Sequence, residues 1–290
     1  MLQKVHLSAS KFDKALDKEA SRKYRLSIQL SLDGFSFCIL DTDRNKFSGI
    51  EAYSFQEVST SLVISNIITE LIQKSDWLKL PFQETRIIFE TEKSTLIPAP
   101  LFEDEHAADY LRFNHNPDFG DKIIFDRLSN LGAVNVFSIP ENILLTLGRF
   151  FPGVTVHHFA SYLIENLLIL NKNSDEGFVI FAYLRSTSID LLVLDGRNLI
   201  FSNSFNYKAK EDCVYFLIYV MEQLNLNPEK TGVTFFGEIS KTSPLFDLTR
   251  KYVRNVAFGK RTQDYNYSYA LDEIPEHYYF NLLNLQRCEL

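Results

Sequence analysis

The fold is decided by two stretches that share one pattern, SIQLSLDGFSFCILD (27–41) and VIFAYLRSTSIDLLVLD (179–195). In each stretch, two runs of mainly apolar and β-branched residues flank a short polar turn, which is typical of two antiparallel strands. The first turn contains Asp33-Gly34, a pair that favours tight hairpins because the central residues adopt positive φ. A third β-rich run follows in both cases, FSGIEAYSF (47–55) and NLIFSNSFNY (198–207). Each half of the chain is therefore predicted to begin with a three-strand meander.

A helix and a fourth strand follow each meander. In the first half, apolar residues recur at helical spacing from Val58 through Leu62 to Leu71 or Ile72, which predicts an amphipathic helix. In the second half, the run 210–226 is apolar on nearly all sides and predicts a buried helix. The runs TRIIFE (85–90) and GVTFF (232–236) predict the fourth strands. Because such crossovers are right-handed, we expect strands three and four of each half to be parallel neighbours.

The two halves also end their fourth strands alike, in IIFETEKSTLIPAPLF (87–102) and VTFFGEISKTSPLF (233–246). Each has an acidic residue, a Ser/Thr-rich segment predicted to be a loop, and a Pro-Leu-Phe sequence predicted to open a helix at Pro100 or Pro244. An internal repeat predicts a whole arrangement rather than one element. The predicted fold class is α/β, with two tandem ribonuclease-H-like βββαβα units, each a five-stranded mixed sheet flanked by helices.

The domain boundaries follow from this repeat. Residues 1–23 carry mixed charge and few apolar residues, so we expect a loose N-terminal arm or a short surface helix. Residues 24–173 are predicted to form the first lobe and residues 174–290 the second. The first lobe also holds a predicted helix over 101–113, strands over 122–128, 133–139 and 153–159, and helices over 138–151 and 160–172.

Composition excludes several classes of protein. The 290 residues carry a formal net charge of −7, which gives no basic surface for a nucleic acid. The three cysteines are far apart and match no metal or disulfide spacing. No apolar run reaches the roughly 18 residues of a membrane span, and the first residues lack a signal-peptide core. We therefore expect a soluble cytoplasmic protein that binds neither nucleic acid nor membrane.

Two consecutive ribonuclease-H-like units resemble the actin and hexokinase superfamily. From residue 24 to residue 290, the chain is similar to an uncharacterised Bacteroidetes protein family with an actin-like ATPase fold and no assigned function. In active members of the superfamily, this resemblance implies a nucleotide between the lobes, held by two hairpin turns and a Gly-Gly loop. Glycine lets backbone N–H groups approach phosphates, and an aspartate in each hairpin positions Mg²⁺.

The resemblance assigns candidate nucleotide-binding residues in these three segments. They are Asp33 and Gly34 in the first turn, Arg185, Ser186 and Thr187 in the second turn, and Gly237 and Glu238 in the loop. The second turn has neither Gly nor Asp, and Glu238 stands where a second glycine is expected. The whole chain has 11 glycines, and no two are adjacent.

These departures favour a protein without catalytic residues or cofactor. The first hypothesis is a non-catalytic, degenerate actin-like protein that serves as an interaction or scaffold module for an unknown protein partner. The alternative is an ATP-binding protein or slow ATPase that uses Asp33 for Mg²⁺ and Arg185 for phosphate. The sequence leaves enzymatic activity uncertain and favours its absence.

Other groups of polar and aromatic residues have alternative interpretations. His106 and Asp109 lie three apart in a predicted helix, but the surrounding acids complement the helix dipole and predict no metal site. Adjacent His157 and His158 point to opposite faces of a strand, which favours packing. Tyr265, Tyr267 and Tyr269 alternate and place three rings on one face of a predicted strand. That face is either core or a partner surface.

Overall fold

The structure is a computed structural model that describes residues 5–56, 60–173 and 177–290. The chain divides into two compact units. Unit 1 comprises Met1–Leu163, Gln263–Glu273 and Asn281–Leu290, and unit 2 comprises Ile164–Thr262 and Ile274–Phe280. These units differ from the predicted lobes 24–173 and 174–290, chiefly because two C-terminal segments belong to unit 1. The predicted start of the second lobe, at 174–176, lies outside the described residues.

Strands and helices follow one another along both units. The strands are β1 (Val5–Phe12), β2 (Tyr24–Leu30), β3 (Gly34–Asp41), β4 (Lys46–Phe55), β5 (Glu84–Phe89), β6 (Ser94–Pro98), β7 (Asp121–Leu128), β8 (Ala133–Pro140), β9 (Val156–His158), β10 (Phe178–Leu184), β11 (Ser188–Asp195), β12 (Asn198–Asn206), β13 (Gly232–Gly237), β14 (Val256–Phe258) and β15 (Asn266–Tyr267). The α-helices are α1 (Ser61–Lys74), α2 (Ala107–Asn114), α3 (Glu141–Phe150), α4 (Phe159–Asn171), α5 (Lys210–Gln223), α6 (Pro244–Thr249) and α7 (Phe280–Leu283).

Unit 1 is built on one large mixed sheet with the order β1-β4-β3-β2-β5-β9, and β15 also pairs with β4. The predicted meander is formed by β2, β3 and β4, which pair antiparallel. The prediction that the fourth strand neighbours the third was wrong. Strand β5 instead pairs parallel with β2, the first strand of the meander, and β9 continues parallel beyond it. The crossover through α1 therefore carries the chain back past the whole meander, whose other edge is taken by β1.

The N-terminal segment is part of this sheet, so the prediction of a loose arm was wrong for residues 5–12. Strand β1 pairs antiparallel with β4, from Val5 opposite Phe55 to Phe12 opposite Gly49. The Phe12 ring fills the space beside Gly49, where an added Cβ would come within 2.5 Å of it. The same ring stacks on Trp77 at 5.6 Å between centroids. Val5 and Phe12 both pack against the core of unit 1, and these contacts anchor the segment together with its pairing to β4.

Asp13 ties the N-terminal segment to the C-terminal part of unit 1. Its carboxylate accepts hydrogen bonds from Lys46 at 2.6 Å, from Ser268 at 2.8 Å and from the backbone N–H of Ala15 at 2.9 Å. Burial alone would raise the pKa of Asp13, but these hydrogen bonds and the Lys46 charge lower the pKa to about 2. The carboxylate is therefore held in its charged form.

Apolar residues from strands and helices form the core of unit 1. Leu26, Ile28 and Ile87 contribute fully buried side chains from the central strands. The buried face of α1 packs on them with Ile64, Ile67, Ile68, Leu71 and Ile72. The predicted amphipathic helix is thus confirmed over Ser61–Lys74, and Val58 lies outside the described residues. Each such side chain contributes about 1.5–3 kcal/mol on burial, so this face decides where the helix docks.

A second, smaller sheet is inserted between β5 and β9. Its order is β6-β8-β7, all antiparallel, and α2 covers it. The segment 94–98, predicted to be part of a loop, is strand β6, so the resemblance of 87–102 to 233–246 does not extend past the fourth strand. The helix predicted over 101–113 is also shorter than expected. Short 3-10 turns occupy Ala99–Leu101 and Asp104–His106, and the α-helix begins only at Ala107.

Unit 2 has a single mixed sheet with the order β12-β11-β10-β13-β14. Strands β10, β11 and β12 form the predicted meander, while β13 pairs parallel with β10. Helix α5 packs its buried residues Cys213, Val214, Leu217, Val220 and Met221 onto this sheet. Here the Pro-Leu-Phe sequence does open a helix, since α6 begins at Pro244. Strand order β4-β3-β2-β5-β9 of unit 1 corresponds position by position to the order of unit 2.

Two further findings concern helices and cysteines. Among the described residues, no helix combines the length and apolar character needed to cross a membrane. The three cysteines, Cys38, Cys213 and Cys288, are free and buried. Burial is the main reason that the pKa values of the Cys38 and Cys213 thiols are raised, so both remain protonated at neutral pH.

Candidate functional site

The first candidate segment is the turn between β2 and β3 in unit 1. The Ser31 hydroxyl donates to the Asp33 carboxylate at 2.6 Å, and the Ser31 N–H donates to the Gly34 carbonyl at 2.9 Å. The backbone carbonyl of Asp33 accepts from the N–H of Phe55 at 2.7 Å. An added Cβ at Gly34 would lie 3.1 Å from the carbonyl oxygen of Tyr53. Glycine here allows close approach of the hairpin to β4.

The second candidate segment, the turn between β10 and β11 in unit 2, is built around Arg185. Its guanidinium donates to both carboxylate oxygens of Asp190, at 2.8 and 2.9 Å, and to the Ser204 hydroxyl at 2.8 Å. Only 11% of the Arg185 side chain and 12% of the Asp190 side chain are exposed. This bidentate ion pair fixes the planar guanidinium within the sheet surface. Arg185 therefore already binds a carboxylate in the bidentate geometry with which arginine also binds phosphate.

Tyr207 closes the same turn from the end of β12. Its hydroxyl donates to the carbonyl of Arg185 at 2.6 Å and lies 3.1 Å from that of Ser186. Its backbone N–H donates to the carbonyl of Thr187 at 3.0 Å. Burial raises the pKa of Tyr207 to about 12, with smaller contributions from nearby acidic groups. The neutral phenol is thus a permanent donor to the turn.

The third candidate segment follows β13. Gly237 has a φ of +83°, and an added Cβ would lie 2.1 Å from the carbonyl oxygen of Leu184. The Gly237 N–H donates to the carbonyl of His277 at 2.9 Å, and the Glu238 N–H donates to that of Leu184 at 2.8 Å. The Ile239 N–H donates to the Gly237 carbonyl at 2.9 Å. Three successive backbone N–H groups, which could otherwise form a cradle for an anion, are engaged within unit 2.

His277 supports this loop from below. Its Nε2 donates to the Ile239 carbonyl, and its ring packs on Phe258 at 4.5 Å between centroids. Burial lowers the pKa of His277, so the neutral imidazole with a proton on Nε2 fits the hydrogen bond at neutral pH. Nothing in the sequence marks His277 as a supporting residue, because an isolated histidine in a loop carries no pattern.

A pocket of about 310 Å³ adjoins the second and third segments within unit 2. Its polar lining includes Tyr207, Lys210, Glu238 and the hydroxyls of Ser240 and Thr242, with Leu184 and Tyr278 among its other walls. The structure therefore brings the predicted residue Glu238 together with Tyr207 and Lys210. Neither Tyr207 nor Lys210 was predicted from the sequence. Asp33 and Gly34 belong to unit 1, whereas the other five candidates belong to unit 2.

His106, His157 and His158 each have ordinary structural partners. His106 Nδ1 lies 3.2 Å from Asp109 Oδ2 on an exposed helix turn. His157 Nδ1 lies 2.8 Å from Asp126 Oδ1, while His158 interacts with Asn135 and with the carbonyl of Thr91. In residues 5–56, 60–173 and 177–290, no group of three or more His, Cys, Asp or Glu residues has a metal-binding arrangement.

Two of the three alternating tyrosines, Tyr265 and Tyr267, share Phe47 of β4 as a partner. Tyr267 stacks on Phe47 at 5.8 Å between centroids, and Tyr265 meets the same ring edge-on at 5.0 Å. Burial raises the pKa of Tyr265. Tyr269 lies beyond β15 in a 3-10 turn, is 57% exposed and accepts a hydrogen bond from the Lys14 N–H at 3.3 Å. Two rings thus pack on β4, and the third does not.

Comparisons with known proteins agree with this architecture. A profile of the family described as "Protein of unknown function (DUF3822)" matches residues 13–256. The chain is 25% identical to a Bacteroides thetaiotaomicron VPI-5482 protein with an actin-like ATPase fold and unknown function, with a TM-score of 0.76 over 94% of this chain and 99% of that chain. A PilM-PilN type IV pilus biogenesis complex gives 12% identity and a TM-score of 0.60, over 91% and 98% respectively. None of the curated proteins compared is significantly similar. The predicted actin-like ATPase fold is confirmed.

Proposed function

The chain belongs to the DUF3822 family, and we propose that it is a non-catalytic, actin-like protein that serves as an interaction or scaffold module. The observation that carries this proposal is the state of the hydrogen-bond donors in unit 2. The Arg185 guanidinium is paired with Asp190, and the N–H groups of residues 237–239 donate to carbonyl oxygens of the chain. A phosphate could accept from these donors only if they left their present partners, so the carbonyl oxygens and the Asp190 carboxylate would lose their hydrogen bonds. That loss costs about 0.5–1.5 kcal/mol for each neutral bond and more for the ion pair.

The residues present do not fit a triphosphate. The small volume beside Gly237 is filled by the Leu184 carbonyl, since even a Cβ would come within 2.1 Å of that oxygen. A carbonyl oxygen and the Glu238 carboxylate both repel phosphate oxygens.

Exposed apolar side chains support the interaction role. Phe113 is 89% exposed, Phe119 is fully exposed and Leu101 is 67% exposed, and all three lie in the inserted segment between β5 and β9. Exposed apolar side chains that form a patch mark surfaces covered by a partner, and we propose that these three belong to such a patch. The insertion is therefore the part of unit 1 that we expect to contact a protein partner.

Nucleotide binding is tested by thermal unfolding with millimolar ATP and Mg²⁺. A ligand that binds the folded state raises the unfolding midpoint by mass action. We expect no shift beyond that produced by Mg²⁺ and sodium sulfate at the same ionic strength. A shift that the variant Asp33→Ala or Arg185→Ala abolishes, in a folded protein, would refute the non-catalytic proposal.

The interaction role needs its own test. A Phe113→Ser, Phe119→Ser double variant and the wild type are each immobilised and exposed to an extract of the native host. The matched control is Leu62→Ser, because Leu62 is also an exposed apolar residue of unit 1, at 62%, but lies outside the insertion. A protein retained by the wild type and the control and lost with the double variant supports the role. Identical retention by all three contradicts it.

The alternative is an ATP-binding protein or slow ATPase. The observation that favours it is the 310 Å³ pocket, in which Lys210 offers a cation and several hydroxyls offer hydrogen bonds. Its volume lies at the lower end of the range of about 300–1,000 Å³ that is typical of ligand pockets. Under this alternative, ATP raises the midpoint of thermal unfolding and Lys210→Ala reduces that rise. AMP, which has no triphosphate, also raises the midpoint when it is added alone.

A further inference from the structure

Strand β12 of unit 2 is an edge strand with unusual properties. It spans nine residues, NLIFSNSFN, without a charged residue or a proline. Ile200 is 44% exposed, and Asn198, Asn203 and Asn206 are also exposed. In the part of the chain that the structure describes, β11 pairs with one side of β12 and no strand pairs with the other. Charges, prolines and short length are among the usual protections of an edge, and β12 has none of these three. A register shift at Ile200 interrupts its pairing with β11, so the regular part of the edge is 201–206.

The hydrogen bonds show which backbone groups of β12 point outward. The Tyr207 N–H donates to the Thr187 carbonyl, so this pair is a hydrogen-bonded position of the ladder with β11. Such positions alternate along an antiparallel ladder, so Phe205 and Asn203 also bond to β11, opposite Ile189 and Leu191. The N–H of Ser204 instead donates to the side chain of Asn203 at 2.9 Å, which places it on the outer side.

Ser202 and Asn206 share the outward orientation of Ser204, because they lie two residues away on either side. The outer edge therefore presents backbone donors and acceptors at two-residue spacing. Among these outward groups, the Ser204 N–H is the one that donates to a side chain, that of Asn203. The Asn203 side chain is exposed, so a change of its rotamer releases this N–H. This edge is prepared to receive a further antiparallel strand.

Unit 1 shows how the corresponding edge is completed. Strand β4 occupies the same place in its sheet as β12 does in unit 2, and its outer side is covered by β1. The pairing is antiparallel and runs from Val5 opposite Phe55 to Phe12 opposite Gly49. The same chain thus protects one of two equivalent edges with a strand of its own and leaves the other open.

We propose that β12 pairs antiparallel with β12 of a second copy of this chain, so that the two sheets join across a two-fold axis. A two-fold axis between two identical edge strands places them antiparallel. Both outer edges are then used, so no position is left at this edge for a third copy. The neutral side chains of β12 oppose no like charges in this arrangement. They also offer no charge by which a different protein would be selected. The regular part of β12, residues 201–206, gives a contact about 20 Å long.

An aromatic surface extends the edge onto the neighbouring helix. Phe205 of β12 stacks on Phe216 of α5 at 4.6 Å between centroids. Phe216 contacts Tyr215 at 5.5 Å, and Tyr215 stacks on Tyr219 at 6.1 Å. Tyr215 is 63% exposed and Tyr219 is 44% exposed. Aromatic residues of this kind are enriched in the buried centres of interfaces, and here they add contact area beside the strand.

This inference goes beyond the proposed function and does not depend on it. Two copies joined through β12 are compatible with either a nucleotide-binding or a non-catalytic protein. A failure of the dimer leaves the nucleotide and partner tests described above unaffected.

Sedimentation velocity and light scattering over a wide range of protein concentration test the proposal. We expect a mass approaching twice the 33.6 kDa of one chain at high concentration. Ser202→Pro removes an outward N–H while leaving the bonds to β11 intact, and proline is tolerated on edge strands. Asn203→Lys places two like charges near the two-fold axis. Each variant is expected to weaken the dimer about tenfold or more.

Gln73→Lys is the matched control, because it adds the same charge at an exposed position near the end of α1, in unit 1. It is expected to leave the dissociation constant of the dimer unchanged. Circular dichroism shows whether each variant is folded. If Ser202→Pro does not fold, the effect of Asn203→Lys on the dimer tests the proposal. The proposal is overturned by a mass of 33.6 kDa at every concentration. It is also overturned by a dimer that neither edge variant weakens.

Discussion

Replacing Gly237 with alanine is expected to destabilise unit 2 more than any other glycine-to-alanine change with a comparable backbone conformation. Gly237 has a φ of +83°, and its added Cβ would lie 2.1 Å from the carbonyl oxygen of Leu184. The left-handed conformation alone costs about 1–2 kcal/mol. Relief of the contact must also separate the loop from β10, which breaks the 2.8 Å bond from the Glu238 N–H to Leu184. That loss adds about 0.5–1.5 kcal/mol.

The expected total is therefore about 1.5–3.5 kcal/mol. Gly196→Ala is the matched control, because Gly196 also has positive φ, at +57°, but no atom lies within 4 Å of its added Cβ. It is expected to cost only the conformational part, about 1–2 kcal/mol. Urea denaturation followed by circular dichroism measures both free energies of unfolding.

The difference between the two variants isolates the close backbone approach. Gly237 then has a packing role in unit 2, which agrees with a loop that is not built for phosphate. Equal destabilisation by Gly237→Ala and Gly196→Ala would refute this reasoning, because it would show that the loop moves away from Leu184 at no cost.

Three other outcomes are expected. Asp190→Asn leaves the Arg185 guanidinium without its carboxylate partner and is expected to lower the free energy of unfolding in urea by about 3 kcal/mol. Replacing both partners, in Arg185→Met, Asp190→Leu, should cost less. A double variant that is no more stable than Asp190→Asn would contradict the ion-pair explanation. Tyr207→Phe is expected to cost about 1 kcal/mol through the lost hydrogen bond to Arg185, and no change would show that the turn does not need it. The pKa of Asp13 is about 2 in the folded protein against 3.8 ordinarily, so its stabilising contribution is present above pH 4 and is lost as the pH falls toward 2. Thermal unfolding of the wild type should therefore lose more stability over this range than Asp13→Asn, whereas parallel pH profiles would contradict it.

Much of the fold could be predicted because its signals are local. The alternating run before Asp33-Gly34 and the helical spacing from Leu62 to Leu71 each determine an element without reference to the rest of the chain. Strand β1 has only a short local signal, because Val5, Leu7 and Ala9 alternate with polar residues just before a charged stretch that begins at Lys11. It becomes a strand only because Phe12 fills the space beside Gly49 and the backbone completes the edge of β4.

The candidate site shows the same limit more clearly. The sequence indicates the positions of the two turns and the loop, but it does not show what Arg185 contacts. Its partner Asp190 stands within an apolar strand, and an acid in such a position is the one signal that a buried cation lies nearby. His277 and Tyr207 have no such signal, because their hydrogen bonds go to backbone carbonyls. Contacts of this kind depend on the tertiary fold alone.

The C-terminal residues of unit 1 set the order of events during synthesis. Residues 281–290 supply Gln286, whose amide lies 3.1 Å from the Ser27 hydroxyl, and backbone carbonyls that accept from Arg86. The ribosome releases these residues only after every residue of unit 2 has emerged. The first unit to be translated is therefore the last to be completed, and until then its central strands β2 and β5 are exposed to chaperones and proteases.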